Sequence, residues 1–526
     1  VPLPTGGPGS KWPPAQLDDI TAKHAEWDAW YVGEVGGLER LYQRQTVGAL
    51  NRPSQFRGGV TGALARFWWG RPVPNTGQGP YEDKFHVPIA SDLCQASADI
   101  LFAQPPSLVH GEKRIQSELD RAVEEGLVKQ LATSGEIGAA LGDVYLRVTW
   151  DVSISDRSFI TAVHADAAIP EFRWGRLVAV TFWRQLRDAD GQVLRHLERH
   201  ELDGNGIGVI YHGLYQGTTD YLGTLVPLTE HPSTEGLPVN ADGFISTESK
   251  GLAVVHWPNK TPQRRWRQHE VGAHLGRSDL DGVEGAMDKL DMVYSSWMRD
   301  IRLAKGRLIV PAFMLENNGP GLGASFDTEQ DVYTPVNAPP REDGASQITP
   351  QQFDIRTADH LATCQEIIEI ILRSSGYSKQ LFGEEDGVAM TATEVSSKDR
   401  RSTLTRNRKI REVQPALVQL LTKKLAVDAA IFHTGVSPDA PVVEFPEAGQ
   451  ATSEQLAQTT NYLFQAQAAS VKTRVAMMHP DWDEKQIAAE SALVLEEFSV
   501  AVPDPTGFEP AGPGAGDQGD EGVDQS

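Results

Sequence analysis

Cysteine is almost missing from this chain: Cys94 and Cys364 are the only two in 526 residues. They supply neither a disulfide framework nor a metal quartet, and both fall in helical patterns that bury a thiol. Long apolar runs are missing as well. The best stretch, Arg307 to Leu315, is far below the ~20 residues a membrane helix needs, so no membrane partner is expected. The opening VPLPTGGPGSKWPP has neither the charged nor the apolar region of a secretion signal. With the cysteine usage, that gives an expectation of synthesis in a reducing cytoplasm. Positive charge is scarce: 48 Lys and Arg against 71 Asp and Glu leave a net −23. That balance argues against an adhesive nucleic-acid surface, which needs cations to displace counterions. It does not argue against a protein that lets DNA slip past. Walker sequences, nucleophile elbows and cysteine pairs are all lacking, so no catalytic residue and no cofactor is expected.

What is present is length, enough for two to four domains, and one long amphipathic segment. From Gly276 to Leu315 the chain reads GRSDLDGVEGAMDKLDMVYSSWMRDIRLAKGRLIVPAFML. Leu280, Val283, Met287, Leu290, Tyr294, Trp297 and Ile301 step by three and four, the signature of a helix with a narrow buried seam. Ser278 and Asp281 suggest a capping box, and Gly306 a stop, giving a helix over Asp279 to Lys305 of about 40 Å. Asp281, Glu284, Asp288, Asp291, Ser295, Arg299 and Arg302 form an opposite face for water or another polar surface. Such a rod reads as a strut.

Around it the chain reads as α+β. Residues 1–14 are expected to be disordered, and 15–278 to run from helices into antiparallel strands. Within that region one helix is expected over Gln116 to Glu136, and Phe67, Trp68 and Trp69 form an aromatic cluster suited to burial. LVAVTFWRQL, VLRHLERHEL and IGVIYHGLY alternate as strands joined by the turn sequences RDADGQ and DGNG. His196, Glu198 and His200 share one strand face without zinc-protease order, which makes a metal-dependent hydrolase the weakest alternative. Asp188, Asp190 and Gly191 are too short for a calcium loop, and Gly204, Gly206 and Gly208 precede no helix. After the strut, 306–352 is loop-rich with the strands RLIVPAFML and DVYTPV. A helix returns over 353–373, a polar loop follows at 374–390, and Thr391 with Glu394 caps a helix to about Ala430 that Pro415 should kink. Its first half is basic (Lys398, Arg400, Arg401, Arg406, Arg408, Lys409, Arg411), a pattern of solvated faces or subunit salt bridges. Two helices are expected between 453 and 498 (Ser453 to Ala469 and Asp483 to Phe498), within a region 446–502, and an acidic disordered tail over 503–526.

Three of these stretches, in this order and spacing, resemble the portal proteins of tailed bacteriophages, of the siphovirus type. They are ASADILFAQPPSLV with LGDVYLRVTWD; the strut segment; and SGYSKQLFGEEDGVAMTATEVSSKDRRSTLTRNR. The resemblance implies a ring of about twelve copies around a DNA channel, with wing, stem, clip and crown. On this sequence it implies a wing over 15–278, stem helices over 279–305 and 353–373, and a clip over 306–352. It further implies a tunnel loop over 374–390, a long kinked wing helix within 391–445 and a helical crown over 446–502. The stem seam would pack against neighbouring subunits. Arg307, Phe313, Phe326 and Tyr333 would face the terminase large subunit and later the head-completion adaptor. Ser378, Lys379, Gln380, Glu384, Glu385 and Asp386 would face the channel, and Lys398, Arg401, Arg408 and Arg411 form the basic face of the wing helix. Major capsid and scaffolding proteins, and double-stranded DNA in transit, complete the implied partners, with the capsid vertex of the virion as location. Twelve copies at −23 each would carry roughly −276, a field that repels DNA unless locally offset. A coiled-coil adaptor without a channel is the competing reading.

Overall fold

The computed structural model describes residues 3–34, 36–38, 85–187, 193–241, 243–303, 307–309, 316–317, 324–325, 349–351, 355–382, 392–446, 453–479 and 482–500. The molecule is mixed α and β and divides into two units, one ending at Pro446 and one beginning at Glu447. None of the described helices is long and apolar enough to cross a membrane.

The first unit opens with a correction. Gly7–Lys11 is not disordered: it forms strand β1, paired antiparallel to β9 (Tyr221–Val226), and Trp12 behind it is buried. Helix α1 (Asp18–Val32) ends on Gly33 in the left-handed conformation and buries Trp27 and Trp30. Helix α2 (Ile89–Phe102) follows, then β2 (Ser107–Val109). The single helix expected over 116–136 is two, α3 (Lys113–Glu124) and α4 (Leu127–Leu141), parted at Gly126 with φ +96°. Apolar spacing continues across that break, so periodicity alone did not reveal it.

Two sheets come next. Strands β3 (Asp143–Thr149), β4 (Phe159–His164) and β11 (Val254–Pro258) make one, in the order β11-β3-β4. The other runs β1-β9-β8-β7-β6-β5, with β5 (Ala168–Arg173), β6 (Arg176–Arg187), β7 (Val193–Leu202) and β8 (Ile207–Gly217); β10 (Phe244–Lys250) also pairs with β8. Neighbouring strands are antiparallel, as the turn sequences imply. Asp203 closes the β7–β8 turn by accepting from the Asn205 and Ile207 amides, and Gly206 takes φ +79° there.

Helix α5 (Glu284–Leu303) leaves this body, and α6 (Thr357–Ser375) returns to it antiparallel and in contact. Between them, β12 (Arg307–Ile309) pairs with β15 (Thr349–Gln351), and β13 (Glu316–Asn317) with β14 (Ala324–Ser325). Helix α7 (Ala392–Ile431) then runs 40 residues through Pro415. It packs on the three-stranded sheet, burying Val413, Leu417, Leu420, Leu421 and Leu425 against Val144, Leu146 and Val255. Strand β16 (Val442–Glu444) pairs with β2.

Among its described residues the second unit has three helices rather than the two expected: α8 (Ser453–Gln465), α9 (Val471–Met478) and α10 (Glu484–Val500). Helix α8 stops at Gln465, short of the expected Ala469, with Gln467 at φ +50°, and Ser470 caps α9 by accepting from the Thr473 amide.

Candidate functional site at the base of the helical hairpin

Helices α5 and α6 pack on each other as a hairpin, so its root decides how it is held. Residues 278–283 are not the first turns of a helix. Ser278 caps nothing at that helix: its hydroxyl donates to the carbonyls of Ala139 and Ala140 and accepts from the Leu280 amide. Gly282, at φ +92°, donates to Glu284 Oε2, and the helix starts there, five residues later than the pattern implies.

Asp279 is instead the centre of a buried charge cluster. Its Oδ1 lies 2.7 Å from Lys260 Nζ and accepts from Asn259 Nδ2 at 3.0 Å. Its Oδ2 lies 2.6 Å from Lys409 Nζ and accepts from the Tyr377 hydroxyl at 2.7 Å. Its amide donates to Ala139 O, and its carbonyl accepts from Ser375 Oγ at 3.0 Å. Lys409 also donates to Ser97 Oγ, and Lys260 to Ser375 O. Asp279 and its two lysines thus tie together α2, the end of α4, the exit of β11, the end of α6 and the middle of α7. Burial alone would raise the Asp279 carboxyl, but Lys260 and Lys409 override it and hold it well below the usual carboxylate range. Burial pushes Lys260 down to about 8 against the pull of Asp279. Beside the cluster Gly276 is obligatory, because a Cβ there would stand 2.1 Å from Gly142 O.

The seam divides along its length. Leu280, Val283, Met287 and Leu290 are at most 2% exposed, packed with Trp27, Ile89, Leu93, Ile371 and Leu372 of the same chain. This corrects the expectation that the whole seam awaits neighbouring subunits: its first half is already core. Tyr294 and Trp297 are half-buried, stacked respectively near Phe85 and on His360. Ile301 is 42% exposed, and Met292, Ile355 and Leu361 are exposed as well.

The opposite face departs from expectation in the same way. Glu284 accepts from Lys23 and from Trp27 Nε1, and Asp291 is buried with the Val87 amide at 2.9 Å and His86 Nδ1 at 2.9 Å. Further out, Asp300 bonds His360 and Arg356 across the hairpin.

Of the channel-loop residues, Ser378 is buried, its hydroxyl 2.8 Å from that of Ser402, so it belongs to the root and not to a loop surface. Lys379 and Gln380 lie in a 3-10 turn, Lys379–Phe382, half-buried, with Lys379 paired to Glu369 at 2.9 Å. Glu384, Glu385 and Asp386 lie outside the described residues, as do Phe313, Phe326, Tyr333, the DVYTPV strand and the Phe67–Trp69 cluster. Arg307 sits in β12, and Lys398 in α7. Arg401, Arg408 and Arg411 are exposed on α7, and Arg401 donates to Arg373 O. Arg406 and Lys409 are not part of that solvated face: both are buried, Arg406 on the carbonyls of Ile100 and Pro446. Lys409 and Lys260 are the residues that sequence reasoning missed. A lysine in a basic helical run carries no local sign that it turns inward.

The strand face of His196, Glu198 and His200 is tied together from within, with His200 Nδ1 left unpartnered among the described residues. Glu198 Oε1 accepts from Arg147 and from His200 Nε2 at 2.7 Å, and its carboxyl is held well below its usual range by Arg147 despite burial. His196 and His212 face each other in parallel at 3.1 Å between ring nitrogens; burial and their cationic neighbours push them down to about 3 and about 4. Among the described residues no group of three or more His, Cys, Asp and Glu is arranged to hold a metal ion. No protein-family model matches the chain, and no curated protein matches it.

Proposed function

We propose that this chain is the subunit of a portal-type ring: a non-enzymatic channel at one capsid vertex. Double-stranded DNA would enter through it under the terminase motor and later leave, and the head-completion adaptor would dock at the tip of the hairpin. One observation carries the reading. A helical hairpin leaves the body after Gly282 and returns at Ser375, its outer excursion is closed by the β12–β15 ladder, and its outer length presents apolar side chains to solvent. Such a rod, charged at its root and greasy further out, suits lateral packing between copies around a hole. The acidic chain supports passage of DNA without retention, since each cation–phosphate contact would add salt-dependent drag.

The test is mass and shape together. Sedimentation velocity with negative-stain imaging should find annular particles near 12 × 57.5 kDa, about 690 kDa. A species that stays monomeric or dimeric at high concentration would refute the ring, and a dimer would favour a coiled-coil adaptor. Within the ring reading, deletion of Lys379 to Gly387 should leave annuli intact and lower the yield of packaged DNA. Unchanged packaging would deny that loop a role.

A further inference from the structure

Two exposed tips of the first unit carry complementary chemistry, and we infer that they meet between neighbouring copies of this chain, head to tail. The inference rests on the ring reading and names a contact that would build it.

The first tip is the β5–β6 turn, Arg173-Trp174-Gly175-Arg176. Arg173 pairs with Arg176 in register, and Trp174 and Gly175 take φ +52° and +75°, the two successive positive values of a two-residue hairpin turn. Asn, Asp or Gly is preferred at the first of those positions. Here it holds a tryptophan that is 96% exposed. A large indole standing in water at a position that disfavours it is an anchor without an intramolecular socket. Arg173 and Arg176 are exposed beside it, with no ion pair among the described residues.

The second tip is the β3–β4 loop, Asp151-Val152-Ser153-Ile154-Ser155-Asp156. Val152 is 80% and Ile154 74% exposed. The loop is held rigid from within: Asp151 Oδ1 accepts from the Ser153 amide and hydroxyl, and Asp151 O from the Ile154 and Ser155 amides. At its far end the Ser158 amide donates to buried Asp428. The surrounding charges are Asp151, Asp156, Glu118 and Glu125 against Arg121 and Arg157, a local excess of acid. A preformed aliphatic pair ringed by acid suits an indole flanked by two guanidiniums, and its rigidity lowers the ordering cost.

The two tips cannot meet within one copy. Phe172, next to the turn, lies against His274 and against His256, whose Nε2 is 2.6 Å from Asp143 at the start of β3. The acidic loop follows Thr149, at the other end of that seven-residue strand, roughly 20 Å away. Two unlike patches beyond opposite ends of β3 make a heterologous contact, which forms a ring where the rotation between copies closes. DNA is the poorer occupant for the basic tip, because a chain at −23 repels a polyanion over the distances at which two arginines attract it.

The experiment measures association of the full chain by sedimentation velocity across a concentration series, with melting curves to monitor the fold. Trp174→Ala, the pair Arg173→Asp with Arg176→Asp, and the pair Val152→Asp with Ile154→Asp should each raise the association midpoint on the order of 10- to 100-fold, with melting of the dissociated chain unchanged. Adding Glu125→Arg and Asp156→Arg, which leave the Asp151 hydrogen bonds of the loop in place, to the arginine-reversed chain should restore assembly, since each tip then meets its reversed complement. Rings that form normally in every variant would overturn this contact and leave the ring reading standing. Loss of assembly in Trp174→Ala without loss in the loop variants or rescue by reversal would assign the indole another socket and overturn it too. Unchanged assembly with loss of binding to a DNA duplex would give the tip to nucleic acid. A wild-type chain that never assembles removes both readings.

Discussion

The inner and outer halves of α5 share one heptad series and have opposite fates. Leu290 is fully buried and touches only its own chain, whereas Ile301, less than a dozen residues on, is 42% exposed. Periodicity fixes which side chains share a face, not what covers that face. What covers the inner half is α1, α2 and α6, and what pins it there is Asp279 with two buried lysines. Among the described residues the outer half packs mainly on α6, with Phe85 against Tyr294. One helix therefore has two parts: its root belongs to the fold of the monomer, and the outer length, by the reading proposed above, would meet a neighbour.

The comparison can be broken from the root outward. Asp279→Ala leaves Lys260 and Lys409 buried without their counter-charge. It should cost the monomer about 3–5 kcal/mol in chemical denaturation; a loss under 1 kcal/mol would show the cluster is incidental. Leu290→Ala should cost about 2–5 kcal/mol, because the cavity lies in the chain's own core. Leu290→Asp should accordingly impair folding of the monomer, and not merely its assembly. A soluble, stably folded Leu290→Asp monomer would return the inner seam to an intersubunit role. Ile301→Ala should change monomer stability by less than about 0.5 kcal/mol, yet weaken association. Equal effects on both would erase the distinction between the halves.

Acid offers a graded version. The folded Asp279 carboxyl lies below its unfolded value, so its stabilising share is complete above the ordinary aspartate range and drains as pH falls through and beneath it. Lys260 works the other way: its folded value of about 8 lies below the unfolded 10.5, so the folded state binds fewer protons between them, and this group's contribution rises with pH across that window. Urea midpoints of wild type and Asp279→Asn at several pH values should converge toward acid. Parallel curves would deny the carboxylate its role.

Much of the fold was legible beforehand. Alternating residues with turn sequences between them located β6, β7 and β8, and the 40-residue α7 followed from its amphipathic pattern. The hairpin that goes out and returns was legible because each arm has its own seam. The site at its root was not. Ser278 and Asp281 satisfy the local grammar of a capping box, but Ser278 is committed to carbonyls of α4 and Asp279 to residues 19 and 130 positions away. Contacts that distant leave no local trace, and they override a cap worth only about 1 kcal/mol. Strand β1 was missed for the same reason: a Gly- and Pro-rich segment reads as loose until a sheet edge offers it hydrogen bonds. Gly126 was hidden inside apolar spacing that runs on past it.

The proposal that the outer hairpin is a surface for like copies is tested most directly by the mass of the purified 526-residue chain over a concentration series. Annular particles of about 690 kDa that dissociate in Ile301→Asp, with the monomer's melting curve intact, are the predicted result. A wild-type chain that sediments as a single 57.5 kDa species at every concentration would contradict it.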